Sequence, residues 1–185
     1  MKIRGIIMAL TFMLLLSGCA GKQPDQNAAQ NADQNAGESG EQGNTAQVAN
    51  PWKYGVSAED VKKLTGMEFI VPEGAENVSY AIMEAEGLAE MKFDLDGMSY
   101  CARMKPAEKS EDISGLYFDN KNTEDVEING AAGTEFRAEN GGETVDCVQW
   151  YDDMNAMTYS LSTSGKDLDG FDITAVASQM YGADE

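Results

Sequence analysis

The dipeptide Asp96-Gly97 constrains the fold more than any other part of the chain. It is a preferred type I′ turn for a two-residue β-hairpin loop. Closing a hairpin here gives one face of apolar and aromatic pairs and one face of polar and charged pairs. The first set is Leu95–Met98, Phe93–Tyr100 and Met91–Ala102, and the second is Lys92–Cys101 and Glu90–Arg103. Because a one-residue slip would turn the apolar set towards water, the sequence predicts this register.

Two helices are predicted near the ends of the same region. Ser57 followed by Asp60 resembles a capping box, so the first helix is expected over about 58–65, with Gly66 as its stop. Apolar side chains spaced three and four residues apart predict the second helix over about 171–181.

Alternating apolar and polar side chains predict further strands. These are expected at about 77–84, 126–128, 134–138, 144–151 and 157–163. The last two are expected to form a hairpin that pairs Trp150 with Met157, and the spacing of Ile113, Leu116 and Tyr117 predicts one helical turn docked on the core. Together these elements predict an α+β fold: an antiparallel sheet of about six to seven strands, with a short N-terminal helix and a C-terminal helix packed on one face.

The start of the chain resembles the export signal of bacterial lipoproteins. Lys2 and Arg4 precede an apolar run over 6–16, which is too short to span a bilayer comfortably. The run closes on Leu16-Ser17-Gly18-Cys19, which resembles a lipobox. The resemblance implies cleavage before Cys19, lipidation of that cysteine and anchoring of the chain on the extracellular face of the cell membrane. The alternative is a plain membrane anchor with a chance cysteine.

These signals divide the chain into three parts. Residues 1–18 are interpreted as a signal peptide, 19–49 as the lipidated cysteine and a linker, and 50–185 as a single α+β domain. The linker is rich in glutamine, asparagine and alanine and has almost no large apolar side chains. Such a composition cannot bury enough apolar surface to offset the entropy of ordering, so we predict a disordered spacer.

Charge and the absence of histidine limit the functions that we expect. The chain has 13 basic and 32 acidic residues, a net charge of −19, and such a surface repels nucleic acid. No histidine is available for a hydrolytic triad or a metal site, and we expect no catalytic residue, no metal and no cofactor. Close carboxylates such as Asp152 and Asp153 are explained by turns, and the acidic segment 167–172 by a loop and helix cap rather than a calcium loop.

Two cysteines, Cys101 and Cys147, remain once Cys19 is lipidated. An even pair in an exported protein favours a disulfide, and both fall on the polar side of their hairpins. Strands that are not adjacent would hold them too far apart, so a disulfide and two unreactive thiols stay open as alternatives.

The domain also resembles a known but uncharacterised type. Residues 69–75, with Met91-Lys92-Phe93 and Tyr100, look like one half of it. The other half is carried by 126–130, Trp150-Tyr151-Asp152, Tyr159-Ser160-Leu161 and the last helix. Together they are similar to a domain of exported lipoproteins and membrane-anchored regulators of Firmicutes, over about 68–181. The resemblance implies no activity and no catalytic residues.

The sequence therefore favours a cell-surface lipoprotein with a non-catalytic binding or regulatory domain. Its ligand is expected to be an extracellular protein, peptide or lipid that the sequence does not identify. The alternative function is a lipid or lipopeptide carrier or chaperone, with an apolar cavity lined by methionines between sheet and helix. A packed sheet–helix interface favours the first function, and a continuous apolar cavity of several hundred Å³ would favour the second.

Overall fold

The computed structural model describes residues 50–119 and 121–182. They form mostly an antiparallel sheet with two helices and one short 3-10 turn at Glu84–Glu86. The elements are β1 (Lys53–Val56), α1 (Ala58–Thr65), β2 (Glu76–Met83), β3 (Leu88–Leu95), β4 (Met98–Pro106), β5 (Asn122–Ile128), β6 (Ala131–Asn140), β7 (Glu143–Asp152), β8 (Met157–Gly165) and α2 (Ile173–Met180). The sheet order is β1-β2-β3-β4-β8-β7-β6-β5, so two four-stranded meanders meet where β4 pairs with β8.

The sheet has eight strands in the described residues, where the sequence predicted about six to seven. The strand that was missed is β1, at one edge of the sheet. It is only four residues long, contains a glycine in the left-handed region (Gly55, φ 69°), and exposes 61% of Tyr54. Such a strand is held by backbone pairing with β2, and it therefore has no apolar alternation that a sequence pattern could reveal.

The predicted hairpin is confirmed in its turn and its register. Asp96 and Gly97 have φ of 51° and 79°, the left-handed values that a type I′ turn requires at both central positions. Leu95 pairs with Met98, and Phe93 pairs with Tyr100. The two rings stack with centroids 5.0 Å apart, so the apolar face of the hairpin is the face that enters the core.

Both helices pack on that apolar face. Helix α1 begins at the predicted capping box, in which Ser57 and Asp60 bond each other's backbone N–H, and ends at Gly66 with φ 86°. Helix α1 contacts β2, β3 and β4, whereas α2 contacts β5, β7 and β8. The fully buried side chains between sheet and helices include Val61, Met91, Met104, Trp150, Leu161 and Ile173.

The hairpin of β7 and β8 is formed, but the predicted pairing of Trp150 with Met157 is wrong by two residues. Trp150 pairs with Tyr159, and Met157 pairs with Asp152. The cause is Asp152, whose carboxylate accepts hydrogen bonds from the backbone N–H groups of Met154 and Asn155 at 3.0 Å. This side-chain turn moves the loop one residue along the chain. An offset of two preserves the face, so the core side chains were still assigned correctly.

The second face of the sheet is covered by residues 107–119 rather than by a helix. This segment has no helical turn, so the turn predicted from Ile113, Leu116 and Tyr117 is wrong. Ile113 is buried, but Tyr117 is 91% exposed. The segment is held by individual hydrogen bonds, from Tyr151 Oη to Ala107 O at 3.2 Å and from Thr158 Oγ1 to Glu111 O at 3.3 Å.

The predicted signal peptide, Cys19 and the linker lie outside the described residues. The described residues belong to one compact unit. Within the part of the chain that the structure describes, no helix is both long and apolar enough to cross a membrane.

Candidate functional site: two buried carboxylate clusters

The two cysteines of the candidate disulfide are free thiols in the structure. Cys101 on β4 and Cys147 on β7 both pair with Ser162 of β8, which lies between them. Neighbouring strands are about 4.8 Å apart, so two spacings of roughly 10 Å exceed the reach of a disulfide. Burial raises the pKa of Cys101 to about 11 and raises the pKa of the more buried Cys147 as well, so neither thiol is a ready nucleophile.

Three carboxylates outside the buried clusters have local structural roles. Asp94 accepts hydrogen bonds from Ser99 Oγ at 2.6 Å and Asn77 Nδ2 at 2.7 Å. Asp167 accepts from the backbone of Asp169, and Asp172 caps α2. The interpretation of 167–172 as a loop and helix cap is therefore confirmed.

Two other carboxylate clusters are buried in the sheet. The Glu90–Arg103 pair of the first was predicted with the hairpin register and is confirmed, whereas the second cluster was not predicted. The balanced cluster consists of Glu90, Lys92 and Arg103, on β3 and β4. The Nε and Nη2 atoms of Arg103 both bond Oε2 of Glu90, at 3.0 and 2.9 Å, and Lys92 Nζ lies 3.3 Å from the other oxygen, Oε1. One buried carboxylate therefore has two cations, one for each oxygen.

The acid-rich cluster consists of Glu135 and Arg137 on β6 and Asp146 on β7, on the helix-covered face. The Nε and Nη2 atoms of Arg137 both lie 2.9 Å from Oδ2 of Asp146, which repeats the geometry of the balanced cluster. The second oxygen differs, because Asp146 Oδ1 is buried without a hydrogen-bond partner. The neighbour in this cluster is a second carboxylate, Glu135, whose Oε1 is 3.5 Å from Arg137.

The charges of the acid-rich cluster therefore do not balance. Asp146 is fully buried and the Glu135 side chain is 8% exposed, yet among the described residues their ion pairs involve Arg137 alone. Burial, with the charge of Asp146 as the second cause, raises the pKa of Glu135 to about 7. Burial also raises the pKa of Asp146, but the adjacent Arg137 opposes that effect. A hydrogen bond between the two carboxyl groups adds to the rise in the pKa of Glu135 and opposes the rise in the pKa of Asp146, which favours Glu135 as the proton donor of the pair.

Helix α2 fixes the position of Arg137. The carbonyl oxygen of Phe171, just before the helix, accepts a hydrogen bond from Arg137 Nη2 at 2.7 Å. Asp172 caps the helix by accepting from the backbone N–H groups of Thr174 and Ala175. Asn129, in the turn between β5 and β6, bonds the carbonyl oxygens of Ser178 and Tyr181 at the other end. Hydrogen bonds at both ends of α2 therefore hold the helix against the edge of the sheet that carries the acid-rich cluster.

Two cavities adjoin the acid-rich cluster. The smaller, of about 180 Å³, is lined by Glu124 and Glu135, which pair across β5 and β6, together with Asn122, Thr123, Phe136 and Arg137. The larger, of about 570 Å³, shares Asn122 and Arg137 and extends along Asp119, Lys121, Ala138, Glu139 and Thr144. Arg137, with 36% of its side chain exposed, connects the buried carboxylates to this surface.

The balanced cluster has a different surrounding. Trp52 covers the guanidinium of Arg103 at 5.2 Å from the ring centroid, and the Nη1 atom of Arg103 bonds the carbonyl oxygens of Ile113 and Ser114. Arg103 thus joins the start of the domain to segment 107–119. The Nε, Nη1 and Nη2 atoms of Arg103 all donate hydrogen bonds within the fold.

The arginine–aspartate pair of the acid-rich cluster could have been predicted from the sequence. Gly141 and Gly142 have φ of 64° and 88°, and a two-residue turn there pairs Arg137 with Asp146. Asp146 is also two residues before Val148 on the strand, and it therefore shares the core face. A charged residue on a core face, opposite an arginine, marks a buried ion pair.

The described residues include no group of three carboxylate, thiol or imidazole side chains that could hold a metal ion. Fold and site thus define an antiparallel sheet protein with two helices and a buried, acid-rich cluster at one edge. Searches of family models, curated proteins and solved structures found no match to this chain.

Proposed function

We propose that this chain is a cell-surface lipoprotein, anchored through Cys19, whose domain binds a ligand or partner without catalysing a reaction. The anchor is proposed from the lipobox resemblance of Leu16-Ser17-Gly18-Cys19. The observation that supports a binding function is the interface between sheet and helices, which is filled by buried side chains. Phe93 and Trp150 are each 2% exposed, and Trp150 stacks on Tyr159 with centroids 5.1 Å apart.

The filled interface favours a binding domain over a lipid carrier. Met91, Met104 and Met157 are 0–2% exposed and occupy the core instead of lining a cavity. The larger cavity beside the acid-rich cluster is open and carries charged side chains. A ligand would therefore bind on the surface, and we place its site at the two cavities that share Asn122 and Arg137.

Site-specific crosslinking on intact cells tests the binding function. A photo-crosslinking amino acid replaces the exposed Asn122 beside the cavities or, as the control, the exposed Lys63 on α1. We expect a discrete adduct from position 122 that position 63 does not give. Equal labelling at both positions, or none at position 122, would contradict a binding site here.

Lipidation has its own test. Radiolabelled palmitate should enter the wild-type protein, and Cys19→Ala should lose both the label and the membrane fraction, because the acyl chains supply the anchor. Label that persists in Cys19→Ala would rule out the lipobox interpretation, whatever the crosslinking shows.

A further inference from the structure

The two edge strands of the sheet differ in how well they can pair with another chain. Strand β1 has four residues, a shift in its register between Tyr54 and Val56, and the left-handed Gly55. Short and irregular edge strands resist pairing with a further strand. Strand β5, at the opposite edge, has seven residues and pairs with β6 without a register shift. The edge that can accept a further strand is therefore β5.

The outer side of β5 presents unpaired backbone groups. In an antiparallel ladder, alternate residues of an edge strand direct both N–H and C=O away from the neighbouring strand. A two-residue turn makes Ile128 and Ala131 the first hydrogen-bonded pair, so the outward groups belong to Thr123, Asp125 and Glu127. All three residues are exposed, and within the described residues no strand or other backbone hydrogen bond reaches them. An extended peptide has the same two-residue repeat of donors and acceptors.

The side chains of β5 carry negative charge that the fold does not offset. Glu124, Asp125 and Glu127 take part in none of the ion pairs found among the described residues. Lys121, just before the strand, lies over the ring of Phe136 at 4.4 Å from its centroid. A second copy of the chain would place its own carboxylates opposite these three, which disfavours pairing, whereas basic side chains favour it.

We propose that the outer edge of β5 binds a basic, extended peptide segment of a partner protein as an additional antiparallel strand. This inference rests on the proposed binding function and names the chemistry of the partner. The edge begins at Asn122, which lines both cavities at which we place the site. In this mode of recognition, backbone hydrogen bonds supply affinity, and side chains at alternate positions supply specificity.

The alternation of β5 specifies the pattern of the bound segment. Asp125 and Glu127 lie on one face of the sheet, and Glu124 and the half-buried Val126 lie on the other. The segment should therefore carry two basic residues that are two positions apart on the first face. On the second face it should carry one basic and one apolar residue. Read along an antiparallel partner, this pattern is Lys-Val-Lys-Lys opposite residues 127 to 124.

NMR titrations of the full-length chain in nonionic detergent micelles test the inference. The probe is the peptide Thr-Lys-Val-Lys-Lys-Thr-Thr, which places a lysine opposite each of the three carboxylates. We expect backbone N–H shifts concentrated on β5, and no binding by the counterpart peptide in which glutamate replaces each lysine.

Two N-methylated forms of the probe separate strand pairing from charge attraction, because both keep all three lysines. Methylation of the second, fourth and sixth residues removes the N–H groups that face β5 and should weaken binding about tenfold or more. Methylation of the third and fifth residues removes N–H groups that face away and should change binding by about twofold or less.

Variants of the chain provide a second test of the same edge. Asp125→Asn removes one charge pair and should weaken binding roughly two- to fivefold. Asp125→Pro also removes the outward N–H, a position at which an edge strand tolerates proline, and should weaken binding about fivefold further. Glu59→Gln removes an exposed charge from α1 and should leave binding unchanged.

Four results would each overturn the inference: shifts confined to other strands, binding of the glutamate peptide, equal binding of the two N-methylated peptides, or equal binding by Asp125→Asn and a folded Asp125→Pro. If Asp125→Pro does not fold, the N-methylated peptides decide. A crosslinked adduct at position 122 without peptide binding would leave the proposed function standing and rule out the strand pairing alone.

Discussion

Arg103 and Arg137 hold their carboxylates in the same way, with Nε and Nη2 on one oxygen at 2.9–3.0 Å. The clusters differ in what lies beside the second oxygen, which is Lys92 for Glu90 and nothing but Glu135 for Asp146. In the first cluster each oxygen of the Glu90 carboxylate faces a cation, and Arg103 also bonds two carbonyl oxygens of segment 107–119. When both carboxylates of the second cluster are ionised, one negative charge is not offset by Arg137, so the stability of this cluster depends on pH.

The largest difference should follow removal of each arginine. Arg137→Met leaves Asp146 fully buried beside Glu135, so we expect the free energy of unfolding to fall by about 3–5 kcal/mol at pH 8. Arg103→Met should cost less, because Glu90 keeps the ammonium of Lys92. Urea melts of both variants measure this difference. An equal or larger loss for Arg103→Met would contradict the proposed difference in charge balance.

Removing the glutamate charge of the acid-rich cluster should stabilise the fold above neutral pH. The native pKa of Glu135, about 7, lies above the ordinary 4.5, so the native state binds the proton more tightly than the unfolded state does. Its contribution to stability is therefore full below about pH 4.5 and is lost as pH rises through 7. At pH 8 we expect Glu135→Gln to gain roughly 2–3 kcal/mol, and to remove this part of the pH dependence between 5 and 8.

The same substitution in the balanced cluster should have the opposite sign. Glu90→Gln removes the carboxylate from Arg103 and Lys92 and leaves two cations without their partner, so we expect a loss of about 1–3 kcal/mol at pH 8. Urea melts at pH 5 and pH 8 check both glutamine variants together. A gain in stability for Glu90→Gln would mean that this cluster is not balanced.

The smallest effect concerns the two thiols of the described residues. Cys101 and Cys147 are separated by Ser162 on the intervening strand, so no disulfide contributes to stability. Dithiothreitol should leave the melting temperature unchanged, and thiol reagents should react with the native protein only slowly at pH 8, because burial raises both pKa values. A fall in melting temperature on reduction would show a disulfide.

Local patterns predicted the parts of the fold that local chemistry determines. The Asp96-Gly97 turn set a complete strand register, and the Ser57–Asp60 box gave the start of α1. Strand β1 and segment 107–119 were not predicted, because they are held by backbone pairing and by hydrogen bonds from Tyr151 and Thr158 to carbonyl oxygens. Such bonds do not require a periodic pattern of apolar residues in the sequence.

The acid-rich cluster could be predicted from the sequence only in part. The turn at Gly141-Gly142 was enough to place Arg137 opposite Asp146. The position of Glu135 beside Asp146 is a diagonal contact between strands, and Arg137, which forms ion pairs with both carboxylates, is held by the carbonyl oxygen of Phe171, far along the chain. Charge imbalance is a property of all these neighbours together, which is why only the assembled structure reveals it.

The charge state of Glu135 tests the central claim most directly. Carbon-13 NMR of the side-chain carboxyl groups, recorded from pH 4 to pH 9 with Glu135→Gln to assign the signal, gives its pKa in the native protein. We expect a titration centred near 7, well above the ordinary 4.5. A titration near 4.5 would mean that the two carboxylates and Arg137 already balance, and would contradict the charge imbalance.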